Sequence, residues 1–80
     1  MHPMKAIRLR LGVSQDEIAT GMGCSQSNVC FYERGQTIPP DRARSLIYFA
    51  RSKGLELTYE HIYGGAQLPL MPRKTTNTEA

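Results

Sequence analysis

The 80-residue chain predicts an all-α fold of five short helices, the second and third forming a helix-turn-helix. Three observations carry that expectation. Apolar residues recur at helical rather than strand spacing; the stretches that repeat this way open on a capping residue or a proline and close near a glycine; and a glycine-containing turn of about three residues separates two of them.

The first helix is predicted over residues 3–11, where Met4, Ile7 and Leu11 share a face. Pro3 suits a first helical position and Gly12 a stop. Ser14 then stands three residues before Glu17, an S-x-x-E capping box in which hydroxyl and carboxylate each take up a free backbone N–H, so a second helix runs from about Gln15 to Met22. Gly23, with no Cβ penalty at positive φ, ends it. Ser25 can cap a third helix from about Gln26 to Arg34, closed by Gly35. The loop Gln36 to Pro40 is stiffened by two prolines. A fourth helix, from about Asp41 to Ser52, carries the stripe Ala43, Leu46, Ile47 and Ala50. The run LIYF at 46–49 also fits a short strand, but the alanines and arginines around it favour helix. Gly54 breaks that element, and Thr58 can cap a fifth helix over about Tyr59 to Tyr63. Residues 1–65 are thus expected to form the domain. Residues 66–80 have no apolar period and are expected to be a mobile C-terminal tail, in which Leu68, Leu70 and Met71 could dock on the body or on a partner.

A domain this small buries only roughly 60% of its unfolded chain's surface, which leaves little room for an enclosed active site. The net charge of +3 fits a polyanion partner, though ordinary soluble domains share it. Cys24 and Cys30 lie six apart without a CxxC pair, and only His2 and His61 could complete a metal set, so free thiols and no metal are expected. No apolar run approaches the roughly 18 residues of a membrane span and no signal peptide opens the chain, so the expected compartment is the cytoplasm, without a membrane partner. Asp16, Glu17 and Glu33 have capping or ion-pair explanations, no serine has a paired histidine, and no glycine-rich phosphate loop follows a strand. An enzyme, a cofactor and a small-molecule ligand are therefore not expected.

Packing two short helices at a steep angle needs a small residue at the crossing, a turn that tolerates positive φ, and apolar inner faces. Ala19, Gly23 and the set Ile18, Met22, Val29 and Tyr32 meet those needs. With the inner face so assigned, Gln26, Ser27 and Asn28 fall on the outside of the third helix's first turn. Glutamine and asparagine can bond bidentately to adenine N6 and N7, and serine to several base edges, so the three are expected to read DNA bases in the major groove. The competing reading is a solvated helix start, where such residues serve only as caps. Phe31, one turn on, either touches a thymine methyl or belongs to the core.

The span from about Ile7 to Gly65 resembles the Cro and lambda-repressor-like helix-turn-helix family, also called the XRE family. The resemblance rests on Arg8, the LGVSQ opening, Ala19, Gly23, the S-x-x-x-V of the third helix, Glu33-x-Gly35 and the following QTIPP. It implies a compact five-helix domain in which Gln15 reaches a phosphate and braces Gln26, and in which Arg8 and Glu33 pair between the first and third helices. It also implies that the loop from Gly35 to Pro40 lies along the DNA backbone. That loop lacks lysine and arginine here, so its contacts are expected from main-chain N–H groups, Gln36 and Thr37. Ser25, Arg34 and Arg42 complete the expected backbone contacts, with a solvated face as the alternative for the two arginines.

The function expected on this basis is a sequence-specific transcriptional regulator of Cro repressor type, bound as a homodimer to a pseudo-palindromic double-stranded operator. The alternative is a protein-interaction module, such as an antitoxin or anti-repressor, built on the same fold. Leu55, Leu57, Tyr59, Ile62 and Tyr63 are candidates for the two-fold contact, although some of them must be core.

Overall fold

Five helices appear where the apolar periodicity places them, in a computed structural model that describes residues 2–65, 67 and 68. They are α1 (Pro3–Leu11), α2 (Gln15–Met22), α3 (Gln26–Glu33), α4 (Pro40–Ser52) and α5 (Tyr59–Tyr63). No strand occurs among the described residues, and residues 46–49 are helical. Two boundaries differ from expectation. Pro40 is the first residue of α4 rather than the end of the loop, because a proline at that position has no intrahelical N–H bond to lose. Arg34 caps α3 rather than extending it, its N–H turned back to the carbonyls of Cys30 and Phe31.

Each helix start has a local cause. Met4 N–H donates to Nδ1 of His2 at 3.1 Å ahead of α1. The predicted box at α2 is formed in full, with Glu17 N–H donating to Ser14 Oγ and Ser14 N–H to Glu17 Oε1, both at 3.1 Å. Pro39 offers α4 no side-chain acceptor, and Asp41 places a negative charge in its first turn, where the helix dipole favours one. At α5, Thr58 N–H donates to Nδ1 of His61 at 2.9 Å.

The core lies between these helices. Met4, Ile7, Ile18, Met22, Val29, Leu46 and Leu55 are wholly enclosed, and Ala43 and Ala50 complete the stripe of α4. Helix α2 packs on α4 and α3, while α1 packs on α3 and α5. Of the candidates for a two-fold contact, Leu55, Leu57 and Ile62 are core residues, whereas Tyr59 and Tyr63 are about half exposed. Leu68 is partly buried against the core; Ala66 and residues 69–80, with Leu70 and Met71, lie outside the described residues. No described helix is long and apolar enough to cross a membrane, and no described group of three or more His, Cys, Asp or Glu is placed to hold a metal ion.

Helices α2 and α4 approach closely at Gly21, where a Cβ would lie 2.2 Å from Cδ1 and 2.5 Å from Cγ of Phe49. Alanine there gains about 1 kcal/mol of helix propensity but forces the ring to move, an overpacking cost of about 1 to 3 kcal/mol. Gly21→Ala is therefore expected to destabilise the wild-type domain and to stabilise a Phe49→Ala background. Chemical denaturation of the four proteins in that cycle checks the reversal of sign.

Candidate nucleic-acid interface

The turn between α2 and α3 fixes what the third helix presents. Gly23 adopts φ 74°, a left-handed conformation that L side chains rarely take, and its N–H closes α2 on the carbonyls of Ala19 and Thr20. Ile18, Met22, Val29 and Tyr32 all face inward, so the opposite side of α3 is left to solvent. On that side Gln26 and Ser27 are exposed, and Phe31, 47% exposed, is a surface residue rather than a core one.

Asn28 and Ser25 are more constrained. Asn28 N–H donates to Ser25 Oγ at 3.2 Å, while the N–H and hydroxyl of Ser25 both point at Asn28 Oδ1, at 3.3 and 2.7 Å. The pair is a reciprocal cap in which asparagine stands where glutamate is usual. Asn28 is consequently half-buried with its carbonyl oxygen turned back on the cap, and its amide NH2 is the polar end directed away from that oxygen. Ser25 directs both of its donors into the cap.

Gln26 is held from behind. Its Nε2 donates to Gln15 Oε1 at 3.1 Å, and Gln15 Nε2 donates to Glu33 Oε1 at 3.0 Å. Glu33 in turn accepts from Arg8, with Nε at 2.5 Å from Oε2 and Nη2 at 3.5 Å from Oε1. Arg8 Nη1 also reaches the Val13 carbonyl at 3.3 Å, tying α1 to the start of the next turn. Side chains from α1, α2 and the two ends of α3 thus form one polar chain leading to Gln26. Burial alone would push the Glu33 carboxyl up, but the hydrogen bonds from Arg8 and Gln15 and the charges of Arg8 and Lys5 outweigh it and hold the carboxyl below its usual 4.5.

The remaining expected contacts spread around this turn. Arg34 is exposed at the end of α3, and Gln36 and Thr37 are exposed in the loop after it. The first main-chain N–H groups of that loop are already used, since Gly35 N–H donates to Tyr32 O and Gln36 N–H to Phe31 O, both at 3.1 Å. Beyond these two, the loop still carries the N–H groups of Thr37 and Ile38 beside the exposed side chains of Gln36 and Thr37. Burial of Ile38 and a hydrogen bond from the Tyr63 hydroxyl to the Ile38 carbonyl pin the loop to α5. Arg42 lies half-buried over the turn itself, with Nη1 at 3.4 Å from the Met22 carbonyl. There it sets a positive charge against the negative end of the α2 dipole. Cys24 packs beneath; burial raises its thiol pKa and the Arg42 charge opposes that shift.

Two links escaped the sequence reading. Glu33 was legible as a partner of Arg8 but not as an acceptor for Gln15, eighteen residues away. The Tyr63 contact with Ile38 spans 25 residues and leaves no periodic signal.

Comparison with known proteins agrees with this geometry at the level of family. A family model described as Helix-turn-helix matches residues 4–46, which takes in α1 to α3 and the first half of α4. No curated protein and no solved structure matches the chain significantly. The matched span, the left-handed glycine between α2 and α3 and the exposed first turn of α3 together place the chain in the Cro and lambda-repressor-like, XRE-type helix-turn-helix family of DNA-binding transcription regulators.

Proposed function

We propose that the protein is a Cro-type repressor that occupies a pseudo-palindromic operator as a homodimer. The observation that carries this reading is the first turn of α3, where Gln26 and Ser27 stand outward and Gln26 is braced by Gln15. In the major groove Gln26 bonds adenine and Ser27 a neighbouring base edge, while Phe31 lies against a thymine methyl. The NH2 of Asn28 reaches the same groove from its place in the cap. Gln15 has a second Nε2 hydrogen, and Arg34, Gln36 and Thr37 surround the site; these groups meet phosphates, as does the outer edge of the Arg42 guanidinium. Two copies would read half-sites roughly 34 to 36 Å apart. The half-exposed Tyr59 and Tyr63, stacked at 6.3 Å between ring centroids, supply apolar surface for the two-fold contact.

Binding to an operator duplex at rising salt tests the reading. The logarithm of the binding constant should fall linearly with that of salt, by about 0.9 for each phosphate neutralised. Arg34→Ala should weaken all sequences alike and reduce the slope by about 1. Salt-independent binding, or a reporter gene activated rather than silenced by the protein, contradicts it.

A further inference from the structure

We propose that Glu33, which bonds to Arg8 and Gln15 at the C-terminal end of α3, is a specificity-determining positioning residue: its carboxylate fixes the direction of the Gln15 and Gln26 amides and thereby the order of donor and acceptor that Gln26 shows to DNA. The inference rests on the base-reading role of Gln26 proposed above.

The argument is one of hydrogen-bond valence. A glutamine amide has two ends of nearly equal size, so shape alone does not choose between its two orientations. An ionised carboxylate only accepts, so Gln15 must turn its NH2 toward Glu33 Oε1, 3.0 Å away. That leaves Gln15 Oε1 facing Gln26, which must answer with Nε2, as found at 3.1 Å. One hydrogen of Gln26 Nε2 is thereby taken up, and its Oε1 and second N–H form the free edge. That edge matches adenine, whose N6 donates and whose N7 accepts. With the amide reversed, like groups would oppose each other at both positions and adenine would be rejected in the same register. The side chain of Glu33 is only 9% exposed and is held on its other oxygen by Arg8, so the carboxylate is both fixed in place and kept ionised. Arg8 acts one step further back, holding the carboxylate that sets the direction.

Two variants remove the directing group differently. Glu33→Gln must turn its amide oxygen to the donor-only Arg8, so it offers NH2 to Gln15 and favours the reversed orientation; Gln15→Met breaks the chain while leaving the Arg8 and Glu33 pair intact. Each is measured, at a temperature where its melt shows it folded, against a duplex selected by the unaltered protein and against that duplex with single base-pair substitutions. In both variants the penalty for substituting the base pair at the Gln26 position is expected to shrink by about tenfold, while penalties elsewhere stay as in the unaltered protein. A second readout needs no DNA. On acid titration followed by side-chain 15N resonances, the NH2 groups of Gln15 and Gln26 should both move with the Glu33 carboxyl, and in Gln15→Met that of Gln26 should cease to follow.

A uniform loss of affinity across all duplexes with discrimination intact, or a Gln26 amide indifferent to the Glu33 titration, overturns the proposal. An unaltered protein that prefers no sequence counts instead against base reading as such, and the amide titration then decides the direction-setting role by itself.

Discussion

Arg8→Met is expected to lower the melting temperature at neutral pH by more than about 10 °C. Methionine keeps the length and much of the apolar contact of the arginine stem while removing the charge. The partner left behind is Glu33, whose side chain is 9% exposed against 16% for Arg8. Stranding such a carboxylate costs about 3 to 5 kcal/mol, and the surviving bond from Gln15 puts the expected value at the lower end. A pair of this kind adds little over an apolar substitute of the same shape; the penalty comes from breaking one half of it.

The pH dependence of that loss has a definite sign. In the unaltered protein the Glu33 carboxyl sits below its usual 4.5, so its contribution to stability is fully present above that value and fades as pH falls through the depressed one. Without Arg8 the largest opposing influence is gone and burial raises the carboxyl pKa, so acid relieves the stranded charge rather than breaking a pair. The gap in melting temperature between the two proteins should therefore narrow from pH 7 toward pH 4. An unchanged melt at neutral pH would show that the pair is solvated, and a gap that stays constant with pH would place the loss in packing rather than charge.

Gln26→Ala is expected to weaken binding to the preferred site by about 1 to 3 kcal/mol in each half-site and to relax discrimination at one base pair there, with no change in the melt. The side chain is exposed and its one described bond is to Gln15, so the fold loses little when it goes. Asn28→Ala separates reading from folding by contrast. It removes the oxygen that accepts from Ser25, so its effect on binding should come with a loss of stability of about 1 kcal/mol. Competition binding and thermal melts on the same two variants check both halves. Identical behaviour of the pair would erase the distinction between a base-reading residue and a capping one.

Most of the architecture was legible because it is local. Pro3 and Gly12 bracket α1, the Ser14 and Glu17 box opens α2, and Gly23 closes it, each acting within one turn of its own position. The inward stripe Ile18, Met22, Val29 and Tyr32 followed from helical spacing alone, and the outward placement of Gln26 and Ser27 followed from the stripe. What the spacing left open was which polar groups an outward residue has already committed. Asn28 occupies a reading position by periodicity, yet its oxygen serves the cap of Ser25. Arg42 begins a helix as a phosphate ligand would, yet one of its nitrogens lies over the Met22 carbonyl. The Gly21 and Phe49 approach, the Tyr63 bond to the loop and the Glu33 bond to Gln15 join residues 18 to 28 positions apart. Tertiary packing alone decides contacts at such separations. The set of half-exposed and buried residues in α5 and just before it is of the same kind: Leu57 and Ile62 read as surface or core equally well until the other helices are in place around them.

Selection of bound duplexes from a random pool by the unaltered protein at moderate salt tests the central claim most directly. The account predicts enrichment of two inverted half-sites spaced by about one helical turn, roughly 10 base pairs, each holding an adenine that Gln26→Ala no longer requires. A pool that emerges without a shared motif, or with one that is unchanged when Gln26 is replaced, contradicts it.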